Sequence, residues 1–311
     1  MINAIFESAL PVDERLLIKK NIIKGGVGKK RVCIVTGTHG DELEGQYVCY
    51  KLNRILRKGI DMLDGQVEIY PALNPLGIDT IKRGIPNFDL DMNRIFPGDP
   101  NGSIFEQTAY AICEDLKGAD MVIDIHSSNI FLREIPQVRI NVNDADSLVS
   151  YAKLLNTDFI WVYDAATVLE STLAYSLNSI GTKTLVVEMG VGMRINNSLG
   201  DKLVIGIINL LADFGMWNRV VDDFITNPIV SSADDVIFIN ASASGVFITD
   251  IKNSIIVEEG ESIGKIVDPL TGDLIHEVVS PIHGLLFTLR AYPVVYEGSL
   301  LARIHLLKLE D

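Results

Sequence analysis

The chain has 311 residues, 48% of them apolar and 22% charged, and a formal net charge of −14. That composition is globular, with material for one large domain or two ordinary ones. The acid excess, with no lysine/arginine run longer than three, argues against a surface for nucleic acid or for an anionic membrane, both of which need clustered cations.

The first residues, "MINAIFESALPVDERLL", carry acids early, and Glu7 interrupts their apolar run, so they do not read as a signal peptide. No uncharged apolar stretch approaches the roughly 18 residues of a membrane span. Three cysteines (Cys33, Cys49, Cys113) without a CxxC spacing read as buried free thiols in a reducing compartment. The expected location is the cytoplasm.

From Arg31 to Met189 strands and helices alternate. The runs "RVCIVT" (31–36), "QVEIYP" (66–71), "MVIDI" (121–125), "QVRINV" (137–142), "FIWVY" (159–163) and "TLVVEM" (184–189) are continuously apolar, as strands buried on both faces are. Residues 42–58 repeat apolar side chains at three- and four-residue steps and end in cations, which suits a helix C-terminus. Residues 103–118 open on Ser103 and Glu106, at capping-box spacing, and stop at Gly118. Two more helices are expected near 165–180 and 201–216. The fold class is α/β, a three-layer domain with helices on both faces of a mostly parallel or mixed sheet.

After about Asn227 helical periodicity stops and short alternating strands take over. Residues 244–266 resemble 283–304, with Gly245 matching Gly284, Gly260 matching Gly298 and Ile266 matching Ile304. A repeat of this length in an all-β segment predicts two interlocked half-units closing one barrel-like sandwich, joined by the turn "DPLTGD" (268–273). The boundary is expected near 228–235, giving a catalytic domain over 1–230 and a β domain over 231–311.

The chain has five histidines, and two follow strand-like runs: His39 in "TGTHGDELEG" and His126 in "MVIDIH". In open α/β sheets ligands bind beyond the carboxyl ends of strands. With Glu42 these histidines make a His₂Glu set, an arrangement used by catalytic zinc sites that keep an open position. A lone His-x-x-Glu reads first as a capped helix start with a surface histidine; the second strand-end histidine strengthens the metal reading and leaves both open. Asp41 and Glu44 read as solvated acids, with Asp41 a candidate helix cap. Asp124 alternates with His126 and faces the same side, a candidate partner for its ring. His276 and His283, in the β tail, read as structural, and the aromatics of "FIWVYD" as core. HExxH, HxxEH and GxSxG are absent, which disfavours other zinc-hydrolase classes and serine hydrolases.

The stretch "RGIPNFDLDMNRIFPG" (83–98) adds two arginines and Asn93. Taken together, "GTHGDELEG", "DLDMNRIFPG", "DIHSS" (124–128) and "VVEMG" (186–190) resemble the succinylglutamate desuccinylase/aspartoacylase family of the wider zinc carboxypeptidase clan. The motifs occur in the family's order over roughly residues 30–215. The resemblance implies that His39, Glu42 and His126 hold one Zn²⁺ and that Glu188 is the catalytic acid/base. It implies that Arg83 polarises the scissile carbonyl and that Asn93 and Arg94 hold the substrate carboxylate. Arg139 and Arg194 are candidates for a further substrate arginine.

These roles suit the residue types. A glutamate ending the apolar run "TLVV" is partly desolvated, which raises a carboxyl toward the useful range. A fixed cation stabilises a developing oxyanion, and a guanidinium fork matches a carboxylate. The expected function is a zinc-dependent amidohydrolase removing an acyl group from an N-acyl amino acid or related small amine. The alternatives are a metallocarboxypeptidase with the same site and a non-catalytic binding module. The expected partner is the small-molecule substrate, with a homo-oligomer only a base-rate expectation. The tail also resembles the biotinyl/lipoyl-type barrel sandwich; its central turn lacks a lysine, so no such modification is expected.

Overall fold

A computed structural model describes residues 1–164, 170–218, 226–231 and 235–307. Two N-terminal strands, β1 (Ile2–Ala9) and β2 (Arg15–Gly25), precede the predicted runs. Their lysines and polar residues interrupt the apolar pattern, which hides them in the sequence. Then follow β3 (Arg31–Thr36), α1 (Glu44–Lys58), β4 (Gly65–Tyr70), α2 (Pro75–Thr80), α3 (Ile104–Leu116), β5 (Met121–Ser127) and β6 (Leu132–Asn141). The chain continues through α4 (Ala145–Ala152), β7 (Phe159–Tyr163), α5 (Leu173–Ser179), β8 (Thr184–Gly190) and α6 (Asn197–Asp213). Of the helix expected near 165–180, residues 165–169 lie outside the described residues.

Strands β3, β5 and β8 are parallel neighbours, with β4 parallel on the other side of β3. Strands β2 and β6 run antiparallel against β4 and β8, so the sheet is mixed. Alternate residues of β3 enter opposite cores. Val32 and Ile34 pack with Val48, Leu52 and Leu56 of α1 and with α6; Cys33 and Val35 pack with Phe105 and Ile112 of α3 and with α5. This is why the strand reads as continuously apolar: both faces are covered by helices. Ser103 and Glu106 form the predicted capping box on α3. Among the described residues, no helix is long and apolar enough to cross a membrane.

The tail contributes β9 (Ile229–Ser231), β10 (Val236–Asn240), β11 (Gly245–Ile248), β12 (Ile255–Val257), β13 (Ser262–Val267), β14 (Leu274–Val279), β15 (Gly284–Arg290), β16 (Val294–Val295) and β17 (Leu300–Leu306). Strand β11 pairs with β13, and its repeat partner β15 with β17. The halves exchange their short strands: β12 pairs with β15, and β16 with β11. Gly260 and Gly298 both sit at φ near +80°, at 81° and 83°, in the turns before β13 and β17. Strand β15 also pairs with β6, so one sheet runs from the α/β layers into the tail.

The loop after β3 is packed backbone to backbone. A Cβ on Gly40 would lie 2.0 Å from the carbonyl carbon of Gly77. Gly118, at φ +74°, has open space around its would-be Cβ. Gly118→Ala is therefore expected to cost only the conformational penalty of about 1–2 kcal/mol. Gly40→Ala is expected to cost more, because the main chain beside His39 must move. Denaturant titration of both variants checks this; equal midpoints would contradict it.

Candidate active site

The carboxyl ends of β3, β5 and β8 converge, as open α/β sheets require of a ligand site. His39 and Glu42 lie in the loop between β3 and α1, His126 near the end of β5, and Glu188 opposite His126 in the β5–β8 register. His39 Nδ1 is 2.7 Å from Glu42 Oε1, and His126 Nδ1 is 2.9 Å from Glu42 Oε2. The two Nδ1 atoms are 3.3 Å apart. All three side chains are buried, and one ligand atom from each lies within 4.8 Å of the others.

The outer nitrogens of both rings meet carboxylates. His39 Nε2 is 3.0 Å from Asp91 Oδ1. His126 Nε2 is 3.1 Å from Asp124 Oδ2, a close ionic contact outside hydrogen-bond geometry. Metal-binding histidines commonly turn their second nitrogen to a carboxylate in this way, which fixes the ring and raises its basicity. Two imidazoles and one carboxylate aimed at a common point fit the donor preferences of zinc.

The electrostatics favour positive charge at the centre, as a proton or as a metal ion. Burial disfavours charge on His126, but Asp124 and Glu42 overcome it and raise the imidazole well above its ordinary value. Burial likewise opposes ionisation of Glu42, yet His39 and His126 hold its carboxyl below the usual range. Three carboxylates, Glu42, Asp91 and Asp124, and one guanidinium, Arg83, surround the two imidazoles, so the centre is net negative while both rings are neutral.

A cavity of about 460 Å³ opens over this cluster, lined among others by Arg83, Asn93, Arg94, Arg139, Glu188 and Arg303. Arg83 donates to Glu42 Oε1 at 2.8 Å and reaches Asp91 Oδ2 at 3.3 Å. Asn93 accepts a hydrogen bond from the Leu173 amide at 2.9 Å, tying its loop to α5. Arg94 is exposed and donates only to the neighbouring Asn93 carbonyl, at 2.7 Å, among its described contacts. Glu188 accepts from Arg139 Nη1 at 3.2 Å. Burial pushes the Glu188 carboxyl up to about 7, against the pull of Arg139.

The two candidate arginines lie in different places. Arg139 lines the cavity, whereas the exposed Arg194 bonds the Met193 carbonyl and lies outside it. Tyr163, expected in the core, lines the cavity. Asp41 and Glu44, expected in solvent, are buried. Glu44 accepts from the Asn196 amide at 3.0 and 2.9 Å, and its desolvation pushes the carboxyl up to about 7. The cause is the loop after β8, which folds over the start of α1. His283 pairs with Glu258, and neither it nor His276 lines the cavity.

Sequence reasoning missed Asp91, although it stands in "DLDMNRIFPG"; a carboxylate beside a candidate site was the available signal. It also missed Glu134 and Arg303. Arg303 lies far along the chain in a β segment with no motif, and only strand pairing brings it to the cavity.

Residues 28–213 match the model of the succinylglutamate desuccinylase/aspartoacylase catalytic domain. Over 130 residues the chain is 34% identical to the N-alpha-acetyl-L-2,4-diaminobutyric acid deacetylase of Halomonas elongata, a stretch covering 42% of this chain and 37% of that enzyme. The chain thus spans little more than a third of that curated relative. Among solved structures, a succinylglutamate desuccinylase from a Silicibacter species is similar with a TM-score of 0.85 at 21% identity, over 99% of this chain and 95% of that one. The product-bound ectoine utilization protein EutE of Ruegeria pomeroyi is similar with a TM-score of 0.82 at 21% identity, over 97% and 93%. At such identities the structural likeness carries the fold.

Proposed function

From the premise that the chain belongs to the succinylglutamate desuccinylase/aspartoacylase family, we propose that it is a zinc-dependent amidohydrolase. It removes the acyl group from an N-acyl amino acid or a related small amine, in the cytoplasm. The observation that carries this reading is the convergence of His39, Glu42 and His126 under a cavity that also holds Glu188. Residues 1–230 are taken as the catalytic domain and 231–311 as an appended β domain.

His39 and His126 would hold the metal through Nδ1 and Glu42 through its carboxylate. Bound zinc supplies Lewis acidity and lowers the pKa of water to about 7. Glu188 takes a proton from the attacking water onto its carboxylate and passes it to the departing nitrogen. The acyl carbon gains the water oxygen as its bond to nitrogen breaks, leaving a carboxylate and a free amine. Arg83 presents a fixed cation to the oxygen where negative charge develops. Asn93 and Arg94 hold the substrate carboxylate, a role that suits the exposed Arg94 guanidinium.

The direct test is hydrolysis of a panel of acetyl- and succinyl-amino acids beside short peptides by the zinc-loaded protein. Turnover of the acyl-amino acids supports the reading. Turnover of peptides alone would replace it with a carboxypeptidase. Arg94→Ala is expected to raise KM about 10- to 100-fold with kcat little changed, the effect of losing a charged hydrogen bond made in ground and transition states alike. An unchanged KM would remove Arg94 from the binding role.

A further inference from the structure

One wall of the cavity holds a second cluster of charged side chains, Glu134, Arg139 and Arg303, to which the proposed mechanism assigns no step. Glu134, on β6, is only 2% exposed. A buried carboxylate is costly unless it is paired and hydrogen-bonded. Glu134 is held by Gln137, which donates to Oε2; by Arg139 Nη2, 2.6 Å from Oε2; and by Arg303 Nη1, 2.9 Å from Oε1. The other terminal nitrogen of Arg139 is the one that reaches Glu188. An unbroken line of contacts therefore runs Arg303–Glu134–Arg139–Glu188.

The backbone builds this line. Glu134 pairs with Thr288 of β15, Thr288 with Arg303 of β17, and Arg303 with Phe238 of β10, so one row crosses four strands. On β6 a bulge separates Glu134 and Gln137 in their pairing with β8: they oppose Gly190 and Glu188, three residues against two. On a regular strand, residues three apart face opposite sides; the extra residue taken up in the bulge lets Glu134 and Gln137 share one side. Trp161 of β7 packs against both guanidinium groups, with Arg139 at 5.6 Å and Arg303 at 5.5 Å from its ring centre. Cation–aromatic contact of this kind restrains both arginines in place.

We propose that the C-terminal β region is a working part of the active site, with Arg303, Glu134 and Arg139 as positioning residues that set where the Glu188 carboxylate stands. The physical reason is competition. Arg139 divides its guanidinium between two carboxylates. Arg303 satisfies one oxygen of Glu134 and leaves Arg139 free to hold Glu188 as well. Removing Arg303 leaves Glu134 dependent on Arg139 and draws that guanidinium away from Glu188. The proposal rests on the deacylase reading for its kinetic consequence but not for its geometry.

The test compares Arg303→Gln and Arg303→Lys with wild type, each zinc-loaded, in kinetics and in crystal structure. Arg303→Gln is expected to lower kcat roughly 10- to 100-fold, the scale set by a misplaced reacting group, with KM near wild type and zinc content unchanged. Arg303→Lys, which keeps the charge but not the fork, is expected to recover part of kcat. Its residual deficit decides the matter if Arg303→Gln does not fold. A rise in KM with kcat intact would make Arg303 a substrate contact and overturn the proposal. So would wild-type kcat in both variants. In the crystal, the Arg139–Glu188 contact of 3.2 Å is expected to open in the glutamine variant, or in the lysine variant if only that one folds. Its persistence would overturn the positioning role whatever the activity. A wild-type protein that binds zinc yet hydrolyses nothing on the panel counts against the deacylase reading, and the crystal comparison still decides the inference.

Discussion

Replacing His126 with alanine is expected to leave the protein without zinc and without deacylase activity. The donor set has three members, His39, Glu42 and His126, and loss of one leaves two protein ligands where catalytic zinc sites ordinarily have three. The substitution also strips Asp124, 1% exposed, of the ring beside it, so the negative charge that favours the metal becomes a destabilising charge. Asp124→Asn is expected to be milder. It keeps all three ligands and removes a carboxylate beside the imidazole, a change that typically weakens metal affinity about 10- to 100-fold. Metal analysis after dialysis against a graded chelator series measures both. Wild-type zinc content in His126→Ala would sink the assignment of the cluster as the metal centre. Equal losses in the two variants would mean that the carboxylate acts as more than a partner to the ring.

Glu188→Gln is expected to reduce kcat by about 10²–10⁴-fold, the usual contribution of a positioned acid/base, while zinc stays bound. Glutamine preserves the shape and can still accept from Arg139, but it cannot take a proton from water. The wild-type pH profile carries the same information. Glu188 must be ionised to act as base, and burial lifts its carboxyl to about 7. Activity is therefore present above that value and lost as pH falls through it. A cation bound nearby favours the ionised form, so the acid limb of kcat/KM is expected at or below about pH 7. If Glu188→Gln kept wild-type kcat, the proton would have to travel through another group, and the limb could not be assigned to Glu188.

The fold was legible where a segment's own side chains decide its environment. Strand β3 came directly from its apolar run because helices cover both its faces, and β7 and β8 came from theirs although Tyr163, Val186 and Glu188 line the cavity. The box at Ser103 marked the start of α3 because capping is a local hydrogen-bond problem. Strands β1 and β2 were not legible: β2 carries Lys19, Lys20 and Lys24 among its apolar residues. Lys20 is buried, with its ammonium between Glu68 and Asp115 at 2.9 and 2.7 Å. A buried lysine looks like a surface lysine until its partners are known. Glu44 misled for the same reason, since its partner is an amide 152 residues away.

The sequence by itself determined the α/β class, the repeat in the tail and the residues brought to the carboxyl ends of β3, β5 and β8. Those features follow from periodicity and short spacing, which need no knowledge of distant contacts. Only the tertiary structure decided which carboxylates stand behind the histidines, which arginine faces the cavity and that Arg303 enters it from β17. Charged side chains take their environment from partners across the fold. Here a bulge in β6 and the pairing of β15 with β6 bring together residues 134 and 303, which no local pattern connects.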